Sequence, residues 1–586
     1  MNQKLLIIAA AVLAAGTASA AAPNSVYSVT VPGHNGPMTV DTHVENGKIT
    51  DIITRDLESP GIGKIAISKL HDEIVFQQNI PVEAISGATI TCAAYLDAVG
   101  QTIKMAGVDP AKYHHPKKAA PLKDSYRSDV VIVGGGGAGL AAAAAAIEAG
   151  ARVIIVEKLG MLGGSSAVSG GSLNAVDPAR QKLQGIPDSV ERHYNDTMRG
   201  GHNKNNPLLA RYLVENALPT LRWLEDKGVM FQPKVHMIVG GLYPRGHSVI
   251  GRGSGYISAF ERFIAAYPDR VQVFTNTKAV SLVKDKNGRV TGVSCTHKGK
   301  PVTFSADRGV IITTGGFAAN IQMRMKYNTG DWKDVKLDGN IGTTNRSNAS
   351  LGEGLALGTG AGAGLVDMNE IQLHPGGAPG TGIMSSWPSG SNRIFVNKQG
   401  SRFVRENAPR DVLCRAILKQ PGSTYFVVLN HLRFPTLETR AGDTTLRDQI
   451  KLGQAYEGKT LEELAKKIGA DPAKLQASVD EYNAVVTHKK AADQFGFKGQ
   501  GPSDKPLLDG PWYATRLVPA VHHTMGGLRI NVNSQVLTPE GRPIPGLYAA
   551  GEVAGGVHGA NRVGGNGILD AMVFGRHAGT MAAQNK

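Results

Sequence analysis

The stretch SDVVIVGGGGAGLAAAAAAIEAGARVIIVEK, residues 128–158, decides the fold. Its first six residues end in a continuous apolar run that is typical of a buried parallel strand. Gly134, Gly136 and Gly139 then form the pattern G-x-G-x-x-G ahead of an alanine-rich helix, and a second strand ends at Glu157. Such glycines let a pyrophosphate approach a helix N-terminus, and the acid is suitably spaced to bind a ribose. The stretch therefore predicts an α/β dinucleotide-binding domain.

The residues that follow favour FAD over NAD. The run Gly163-Gly164-Ser165-Ser166 resembles the EKxxxxGGSS run of FAD enzymes of the succinate dehydrogenase and fumarate reductase group. The closing strand of an FAD domain also appears twice, at 309–317 and at 546–553. Because one domain is then built from distant segments, a second domain must be inserted between them. We place this insertion, a mobile cap, at 370–511, with the FAD-binding domain at 127–369 and 512–586.

The sequence before the FAD domain predicts a small α+β module at 24–108. Strand-like alternation surrounds Asn46-Gly47, a hairpin turn signal, and helical sequence follows from about 91 to 106. Ser86-Gly87-Ala88-Thr89 resembles the flavinylation motif of the FMN-binding domain of sodium-pumping and Rnf-type redox complexes. The resemblance implies that FMN is joined through its phosphate to Thr89. A charged, proline-bearing linker is expected at 109–126; its two histidines, His114 and His115, are expected to be exposed rather than metal ligands.

The first twenty residues predict a secretory signal peptide. They carry Lys4, an apolar run too short to span a bilayer, and Ala18-Ser19-Ala20 as a cleavage site. The mature protein is expected to be soluble and periplasmic, with no integral membrane segment after signal removal.

Charge and cysteine content restrict the partners. The formal net charge is +15, but export and the lack of a basic-aromatic stripe argue against nucleic acid. An anionic substrate or an acidic redox partner fits this charge, and so does an ordinary surface. Cys92, Cys295 and Cys414 are too few and too widely spaced for a disulfide framework. No C-x-x-C-H motif occurs, so an external donor must deliver any electrons.

Two further residues, His522 and Arg562, predict a receptor for a small organic acid, and two more, His374 and Arg410, are candidates for its chemistry. VHHTMGG at 521–527 and VHGANRVGGN at 557–566 place His522 and Arg562 in glycine-rich backbone, while EIQLHPGG and RFVRENAPRDVL contribute His374 and Arg410. Arginine offers paired donors in a fixed fork and histidine adds one more, which suits a carboxylate.

From about residue 128 onward, the sequence resembles the flavoprotein domain of periplasmic fumarate reductases and urocanate reductases of the flavocytochrome c type. The resemblance implies an α/β fold: a Rossmann-like FAD-binding domain with an inserted α+β capping domain, here preceded by the FMN-binding module. It implies that His522 and Arg562 hold the reacting carboxylate and that Arg410 donates the proton. His374 and Ser386 would contact a second carboxylate, and Gly565 would also bind substrate.

The same resemblance implies which residues bind FAD without a covalent bond. They lie on glycine-rich turns or at strand ends, and His523 would lie against the flavin. The set is Gly134, Gly136, Ala138, Gly139, Glu157, Lys158, Gly163, Gly164, Ser165, Ser166, Gly170, Gly171, Gly315, His523, Gly551, Glu552 and Asn566. No metal site is expected.

The implied reaction is reduction of an activated C=C bond, as a terminal step of anaerobic respiration. A hydride would come from N5 of reduced FAD and a proton from Arg410, with electrons from a quinol-linked c-type cytochrome by way of FMN. In the family, a glutamate and an arginine return the proton to the acid; here Trp387 stands where the glutamate would fall. The alternative candidates for this relay are Arg393, Arg405, Glu406 and Asp411.

The substrate stays open at this point. Fumarate or a close enoate fits because His374 is present, and an aryl acrylate fits if Trp387 and Pro388 line an apolar pocket. Urocanate ranks third, since urocanate reductases resemble this chain but have a tyrosine at the position of His374. The rival classes are another flavoenzyme of the superfamily, such as a ketosteroid dehydrogenase, and a non-catalytic flavin electron-transfer protein.

Overall fold

The computed structural model describes residues 24–81, 84–85, 88–115, 121–442, 444–499 and 503–585. The expected signal peptide at 1–20 lies outside these ranges. The chain forms two compact units, of which the smaller holds 24–57, 66–81, 84 and 89–115 and the larger holds the other described residues. Within the described ranges, no helix combines the length and the apolar character needed to cross a membrane.

The smaller unit is an antiparallel sheet with a helix packed on it. Its strands are β1 (Asn24–Pro32), β2 (Pro37–Glu45) and β3 (Lys48–Arg55), and the helices of this part are α1 (Ile65–Gln77) and α2 (Thr89–Met105). The turn between β2 and β3 is confirmed at Asn46 and Gly47, whose φ angles are 51° and 72°. The hydroxyls of buried Thr42 and Thr102 lie 2.7 Å apart, which ties β2 to α2.

Regular structure extends into both ends of the expected linker. A short 3₁₀ turn covers Pro110–Tyr113, and the Tyr113 hydroxyl donates to the carbonyl of Gly47 at 2.6 Å. His114 is exposed, as expected, and its Nδ1 lies 2.7 Å from the carbonyl oxygen of Ile80. The first strand of the larger unit begins at Ser125.

The larger unit is an α/β structure. Its strands are, in chain order, β4 (Ser125–Val133), β5 (Val153–Val156), β6 (Leu173–Asn174), β7 (Phe231–His236), β8 (Gly246–Val249), β9 (Val271–Phe274), β10 (Thr277–Lys284), β11 (Val290–His297), β12 (Lys300–Ile312), β13 (Leu365–Val366), β14 (Ile371–Gly377), β15 (Arg393–Val396), β16 (Tyr425–Asn430), β17 (Tyr456–Gly458), β18 (Trp512–Thr524), β19 (Gly527–Arg529), β20 (Gln535–Leu537), β21 (Pro543–Ala549) and β22 (Ala554–Gly555). Its helices are α3 (Gly137–Glu148), α4 (Gly164–Ala167), α5 (Pro178–Lys182), α6 (Val190–Gly200), α7 (Pro207–Glu215), α8 (Ala217–Asp226), α9 (Gly253–Ala265), α10 (Ile321–Tyr327), α11 (Glu353–Gly360), α12 (Arg410–Leu418), α13 (Leu446–Lys451), α14 (Leu461–Ile468), α15 (Pro472–Val486) and α16 (Asn566–Gln584).

The stretch at 128–158, which decides the fold, supplies two neighbouring strands in the middle of an eight-stranded sheet. β4 pairs in parallel with β12 on one side and with β5 on the other, and β9 continues beyond β5. The apolar residues 130–133 are buried, as a parallel strand covered on both faces requires. The predicted order of strand, helix and strand is confirmed, and β4 starts three residues earlier than predicted.

Two helices rich in small residues, α3 and α16, pack closely against each other. They lie behind the glycine loop, residues 134–139, which contains the G-x-G-x-x-G pattern. α3 is almost entirely buried, and it lies against α16. A Cβ at Gly575 of α16 would lie 2.5 Å from the carbonyl oxygen of Ala138, and one at Gly579 would lie 2.1 Å from that of Ala142. Backbones can approach this closely only without side chains between them, which explains the alanines and glycines of this pair.

The inserted region has its own sheet. One strand of this sheet lies beyond residue 511, the predicted end of the inserted region. β18 pairs antiparallel with β14 and with β16, and β15 and β17 complete the five strands. Residues 512–524 therefore belong to this sheet as well as to the segment that returns to the FAD-binding part.

The helical segment after Thr460 is interrupted. Residues 460–489 predict one helix that opens with a capping box at Thr460-x-x-Glu463. Thr460 does cap α14, by accepting from the backbone N–H of Glu463 at 3.1 Å, but the prediction of a single helix is wrong. Gly469, with φ of 72°, ends α14, and Asp471 caps α15, which starts at Pro472.

Candidate active site

A single cavity of about 380 Å³ in the larger unit is lined by both groups of residues that the sequence singled out. One end is formed by the glycine loop before α3. The other end is formed by Arg410, His522, Arg562 and His374. The predicted dinucleotide site and the predicted acid receptor are thus parts of one continuous space.

The three glycines of the loop have different surroundings. A Cβ at Gly134 would lie 2.7 Å from the carbonyl oxygen of Thr313, and one at Gly139 would lie 2.0 Å from that of Gly134. A Cβ at Gly136 would meet nothing closer than 3.9 Å. Gly134 and Gly139 therefore permit tight packing, while Gly136 leaves its backbone open toward the cavity, as a bound pyrophosphate requires.

Glu157 is held at the end of β5 by backbone donors. One carboxylate oxygen accepts from the N–H of Gly135 and the other from the N–H of Leu159, both at 2.8 Å. Burial raises the pKa of Glu157, and these two hydrogen bonds oppose that shift. A carboxylate retains lone pairs for further donors, so Glu157 can still bind ribose hydroxyls.

Most of the residues predicted to bind FAD line the cavity, but three do not. Gly139 and Gly163 serve packing: a Cβ at Gly163 would lie 2.8 Å from the side chain of Ala167. Asn566 is fully buried at the start of α16, where its side chain bonds Asn174 at 2.9 Å and Thr197 at 3.1 Å. Those on the cavity wall are Gly134, Gly136, Ala138, Glu157, Lys158, Gly164, Ser165, Ser166, Gly170, Gly171, Gly315, His523, Gly551 and Glu552.

The charged end gathers side chains from four separate segments. His374 lies on β14 and His522 on the neighbouring β18, so that their rings are 4.7 Å apart. Arg410 begins α12, and Arg562 lies in the turn before α16. Sheet pairing and two helix ends thus bring together residues that are up to 188 positions apart in the chain.

Burial determines the protonation of these four groups. It lowers the pKa of both His374 and His522 well below the usual range, and the neighbouring arginines add to the effect. Both imidazoles are therefore neutral at neutral pH. Burial, followed by the nearby charge of Arg562, also lowers the pKa of Arg410 well below that of a free guanidinium. For Arg562, burial lowers the pKa to about 10, against the opposing effect of Glu552 and Asp570.

A chain of hydrogen bonds runs from Arg410 toward the surface. Arg410 donates to the side-chain oxygen of Gln372 at 3.1 Å, and Gln372 donates to that of Asn561 at 2.6 Å. Asn561 donates to Asp411 at 3.0 Å, and the other oxygen of Asp411 lies 3.2 Å from Nε2 of the exposed His202. Gln372 also donates to the backbone carbonyl of Arg562 at 2.7 Å, which fixes the direction of its amide.

This direction decides what the chain can do. Every amide N–H points away from Arg410 and toward the Asp411 carboxylate, and an amide N–H is only a donor. The chain can therefore orient the guanidinium and connect it to a counter-charge, but as arranged it is not a proton wire toward Arg410.

Glu406 and Arg393, two other relay candidates from the sequence, contact groups other than Arg410. Glu406 is ion-paired with Arg402 at 2.8 Å, and Arg402 pairs with Asp493 at 2.6 Å. Arg393 donates to the backbone carbonyl of Glu406. Trp387 packs against Phe434 and donates to Gln449 at 2.9 Å. It is buried in the core of the inserted region and is not part of the cavity wall, so it does not form the apolar pocket considered for an aryl acrylate.

Several cavity residues were not identified from the sequence. The Thr344 hydroxyl lies 2.6 Å from Nδ1 of His522 and fixes that ring. Ser386 and Gly565, which the resemblance assigns to substrate, line the cavity together with Arg252, Ile238 and Met384. Arg252 stands between two glycines in GRGSG, and this pattern is the one signal that could have identified it.

Glu552, on the cavity wall, contacts two residues at the end of β18. One oxygen accepts from the N–H of Thr524 at 3.0 Å and from its hydroxyl at 3.2 Å, and the other lies 3.4 Å from Nδ1 of His523. Burial raises the pKa of Glu552 to about 7. The carboxyl group thus titrates in the physiological range, next to the position predicted for the flavin.

The proposed flavin attachment residue is accessible in the smaller unit. Thr89 is the first residue of α2 and is exposed, and the preceding Ala88 is buried. Ser86 and Gly87 of the motif lie outside the described residues. Among the described residues of both units, no cluster of three or more histidine, cysteine or acidic side chains is arranged to hold a metal ion.

Comparison with known proteins agrees with both units. Residues 129–568 match the FAD binding domain family and residues 33–104 match the FMN-binding domain family. The chain is 35% identical over 574 residues to a urocanate reductase of Eggerthella lenta, covering 95% of this chain and 92% of that protein. It is 36% identical over 571 residues to an NADH:fumarate oxidoreductase of Klebsiella pneumoniae, covering 95% of this chain but only 58% of that longer protein.

The solved structures agree as well. The open conformation of a flavocytochrome c3 fumarate reductase superposes with a TM-score of 0.61 at 33% identity, and the match covers 78% of each chain. The predicted α/β class, with an FMN-binding domain ahead of the FAD-binding part, is confirmed. The chain belongs to the family of FAD-dependent fumarate and urocanate reductases, and it carries an additional N-terminal FMN-binding domain.

Proposed function

We propose that the protein is a flavin-dependent reductase of the C=C bond of an α,β-unsaturated carboxylate, with fumarate or a related enoate as substrate. One observation carries the proposal: a single cavity joins the glycine loop of the FAD-binding domain to the cluster of Arg410, His522, Arg562 and His374. The related fumarate, urocanate and acrylate oxidoreductases act on bonds of this class. When bound at the glycine end, reduced FAD supplies a hydride from N5.

The charged end is suited to hold the reacting carboxylate. The guanidinium of Arg562 can pair with both oxygens of a carboxylate. Neutral His522 adds a donor at Nε2 when its Nδ1 accepts from the hydroxyl of Thr344. These groups withdraw electron density from the alkene and stabilise the enolate-like charge that develops as the bond is reduced.

Arg410 supplies the proton to the second carbon in this proposal. A free guanidinium is a very weak acid, but burial beside Arg562 lowers the pKa of Arg410 and makes the donation easier. The chain through Gln372 and Asn561 to Asp411 orients the guanidinium. Since this chain conducts no proton inward as arranged, we infer that Arg410 is reprotonated from the cavity side.

FMN attached to Thr89 is proposed to pass electrons from an external donor to FAD. The exposed position of Thr89 at a helix start supports the attachment, and the chain has no haem-binding motif of its own. A quinol-linked c-type cytochrome is the proposed donor and the periplasm the proposed location, with reduction of the enoate as a terminal step of anaerobic respiration.

A Thr89→Ala variant tests the electron path. With a dye that reaches FAD directly, we expect its rate to stay within about twofold of native, because the FAD-binding part is unchanged. With a reduced c-type cytochrome as donor, we expect the rate to fall at least about 100-fold, as expected for loss of an obligatory carrier. Equal cytochrome-driven rates would remove FMN from the path, and mass spectrometry of the two proteins would show whether FMN is attached.

Urocanate reduction is the second candidate because the Eggerthella lenta protein matches nearly the whole chain. Aryl acrylates rank lower than the sequence suggested, since Trp387 lies in a packed core. The decisive assay is oxidation of a reduced viologen dye by the purified protein with a panel of fumarate, cinnamate, acrylate and urocanate. Rapid oxidation with at least one acid supports the proposal; no turnover with any of them would favour a non-catalytic electron carrier.

A further inference from the structure

The segment between β7 and β8 contains a tight turn at residues 238–241, which we call the 238–241 turn. The backbone N–H of Gly241 donates to the carbonyl oxygen of Ile238 at 2.7 Å and closes the turn. Gly240, the third residue of the turn, has a φ of 70°. A positive φ at this position favours glycine. The backbone conformation alone therefore gives one reason for glycine at 240, and a second reason lies in what the turn contacts.

Gly240 packs directly on the side chain of Arg410. A Cβ at Gly240 would lie 2.6 Å from Cγ, 2.9 Å from Cδ and 2.8 Å from Nε of Arg410. These distances are far below that of an ordinary carbon contact, and the three atoms belong to the middle of the side chain rather than to its flexible end. The Nε of Arg410 is buried and has no hydrogen-bond partner. The backbone of Gly240 thus covers Nε and limits where the guanidinium can stand.

The 238–241 turn is anchored to both parts of the larger unit. The carbonyl oxygen of Gly240 accepts from the backbone N–H of Gly564 at 3.0 Å, and Gly564 lies two residues after Arg562. Val239 is buried in the hydrophobic core of the inserted region, to which α12 also contributes. Since α12 begins with Arg410, the turn contacts the segments that carry both arginines. It therefore fixes the separation of Arg410 from Arg562.

The three nitrogens of the Arg410 guanidinium have different surroundings as a result. Nη1 donates to the side-chain oxygen of Gln372 at 3.1 Å, and Nε is covered by Gly240. Nη2 lies near Gly564, where a Cβ would be 3.2 Å from it, and the next residue, Gly565, lines the cavity. Nη2 is therefore the nitrogen that remains to donate a proton to a bound substrate.

We propose, building on the proposed reductase function, that Gly240 is a positioning residue for the acid. The 238–241 turn sets the place of Arg410 relative to Arg562, so that Nη2 meets the carbon that receives the proton. Gly240 acts only through Arg410 in this proposal. A displacement of about 1 Å between reacting groups can cost about 100-fold in rate. A single added methyl group at 240, which would push the stem of Arg410 aside, is then enough to impair proton donation.

The test compares Gly240→Ala with a matched control, Gly185→Ala. Gly185 also has a positive φ, of 66°, but a Cβ at this position would meet no atom within 4 Å. Both variants therefore introduce a similar backbone strain. Only Gly240→Ala adds a collision with Arg410, so a difference between the two variants reports on that contact.

Dye-driven kinetics provide the first readout, with fumarate or with the acid of the panel that is reduced fastest. We expect Gly240→Ala to lower kcat by about 10–100-fold, with KM within about threefold of native, because Arg562 and His522 still hold the carboxylate. Gly185→Ala should behave as native. When Gly240→Ala is added to Arg410→Gln, kcat should fall by less than about twofold further, because the acid is already missing. Equal losses with and without Arg410, or an unchanged kcat in Gly240→Ala, would overturn the proposal.

A stability measurement separates this proposal from the reductase function, since it needs no turnover. We expect Gly240→Ala to lower the Tm of the holoprotein by about 3–6 °C, and Gly185→Ala by no more than about 2 °C. Arg410→Ala removes Cγ, Cδ and Nε, so in that background Gly240→Ala should lower Tm no more than Gly185→Ala does.

The result that refutes the positioning contact is an equal loss of Tm from Gly240→Ala in the native and the Arg410→Ala backgrounds, or a failure to fold in both. Failure to fold in the native background alone would be an extreme form of the expected result. If the native protein reduced no enoate at all, the reductase function would fail, and the Tm values would still decide whether Gly240 determines the position of Arg410.

Discussion

The two ends of the cavity differ in whether backbone or side chains form them. The glycine end is mainly backbone from one short stretch, and Gly136 works there because it has no side chain. The charged end consists of side chains such as Arg410 and Arg562, which come from distant segments and have pKa values shifted by burial. We infer that the glycine end is sensitive to added volume, whereas the charged end is sensitive to the loss of a charge or a donor.

Removing the acid should produce the largest effect and would test the charged end directly. We expect Arg410→Gln to lower kcat by about 10³-fold or more for every enoate that the protein reduces, because a positioned acid contributes up to about 10⁴-fold. FAD content, measured from the flavin absorbance of the purified protein, should not change. The surface variant Arg447→Gln is the control. A kcat reduced by less than about tenfold would show that another group donates the proton.

Adding a larger side chain at the glycine end should reduce the amount of FAD that the protein binds. A Cβ at Gly136 meets no protein atom closer than 3.9 Å, so Gly136→Val should fold but fill the space left for the pyrophosphate. We expect purified Gly136→Val to retain less than about a tenth of the native FAD, with a far-ultraviolet circular dichroism spectrum like that of native protein. Full FAD occupancy in this variant would contradict the division between the two ends.

A smaller effect on kcat is expected from a change at Asp411, in the hydrogen-bond chain that leads away from Arg410. Asp411→Asn keeps an oxygen that can accept from Asn561 but removes the negative charge at the end of the chain from Arg410. We expect kcat to fall about 5–30-fold, with KM within about twofold, because only orientation and counter-charge are changed. Glu438→Gln, which removes a surface carboxylate paired with Arg447, should leave both constants unchanged. An equal fall in both variants would assign the effect to net charge.

The smallest effect concerns the contribution of Glu552 to stability. Burial raises the pKa of Glu552 from 4.5 in the unfolded chain to about 7 in the fold. Between these pH values the folded state binds more protons than the unfolded state, so stability falls as pH rises. We expect the Tm of the FAD-free native protein to decrease by about 2–4 °C more than that of Glu552→Gln between pH 5 and 7.5. Parallel Tm curves for the two proteins would show that Glu552 is already ionised at pH 5.

The sequence predicted the glycine end better than the charged end, for a physical reason. A strand, a glycine turn and a helix follow one another in the chain, so β4, Gly136 and α3 could be located from local pattern alone. The partners of the charged end meet through sheet pairing between distant segments. Local pattern could not show that Thr344 fixes His522 or that Gln372 contacts Arg410, and it suggested a pocket role for Trp387, which is packed in a core.

Boundaries were less predictable than elements. β18 belongs to the sheet of the inserted region and also carries His522 and His523 to the cavity, and composition gives no sign of such sharing. The break between α14 and α15 is different, because Gly469 and Pro472 were visible in the sequence and are common at helix ends. Asn566, which the family resemblance assigns to FAD, bonds Asn174 and Thr197 through its side-chain amide at the start of α16.

The contact between α3 and α16 also has a consequence for biosynthesis. α3 begins immediately after the glycine loop, yet the surface that supports it is supplied by α16, more than four hundred residues later. A growing polypeptide that has completed β4, α3 and β5 therefore still lacks the support for its nucleotide loop. We expect stable loading of FAD to wait until translation has reached α16, which makes flavin retention a natural indicator that this helix has been synthesised.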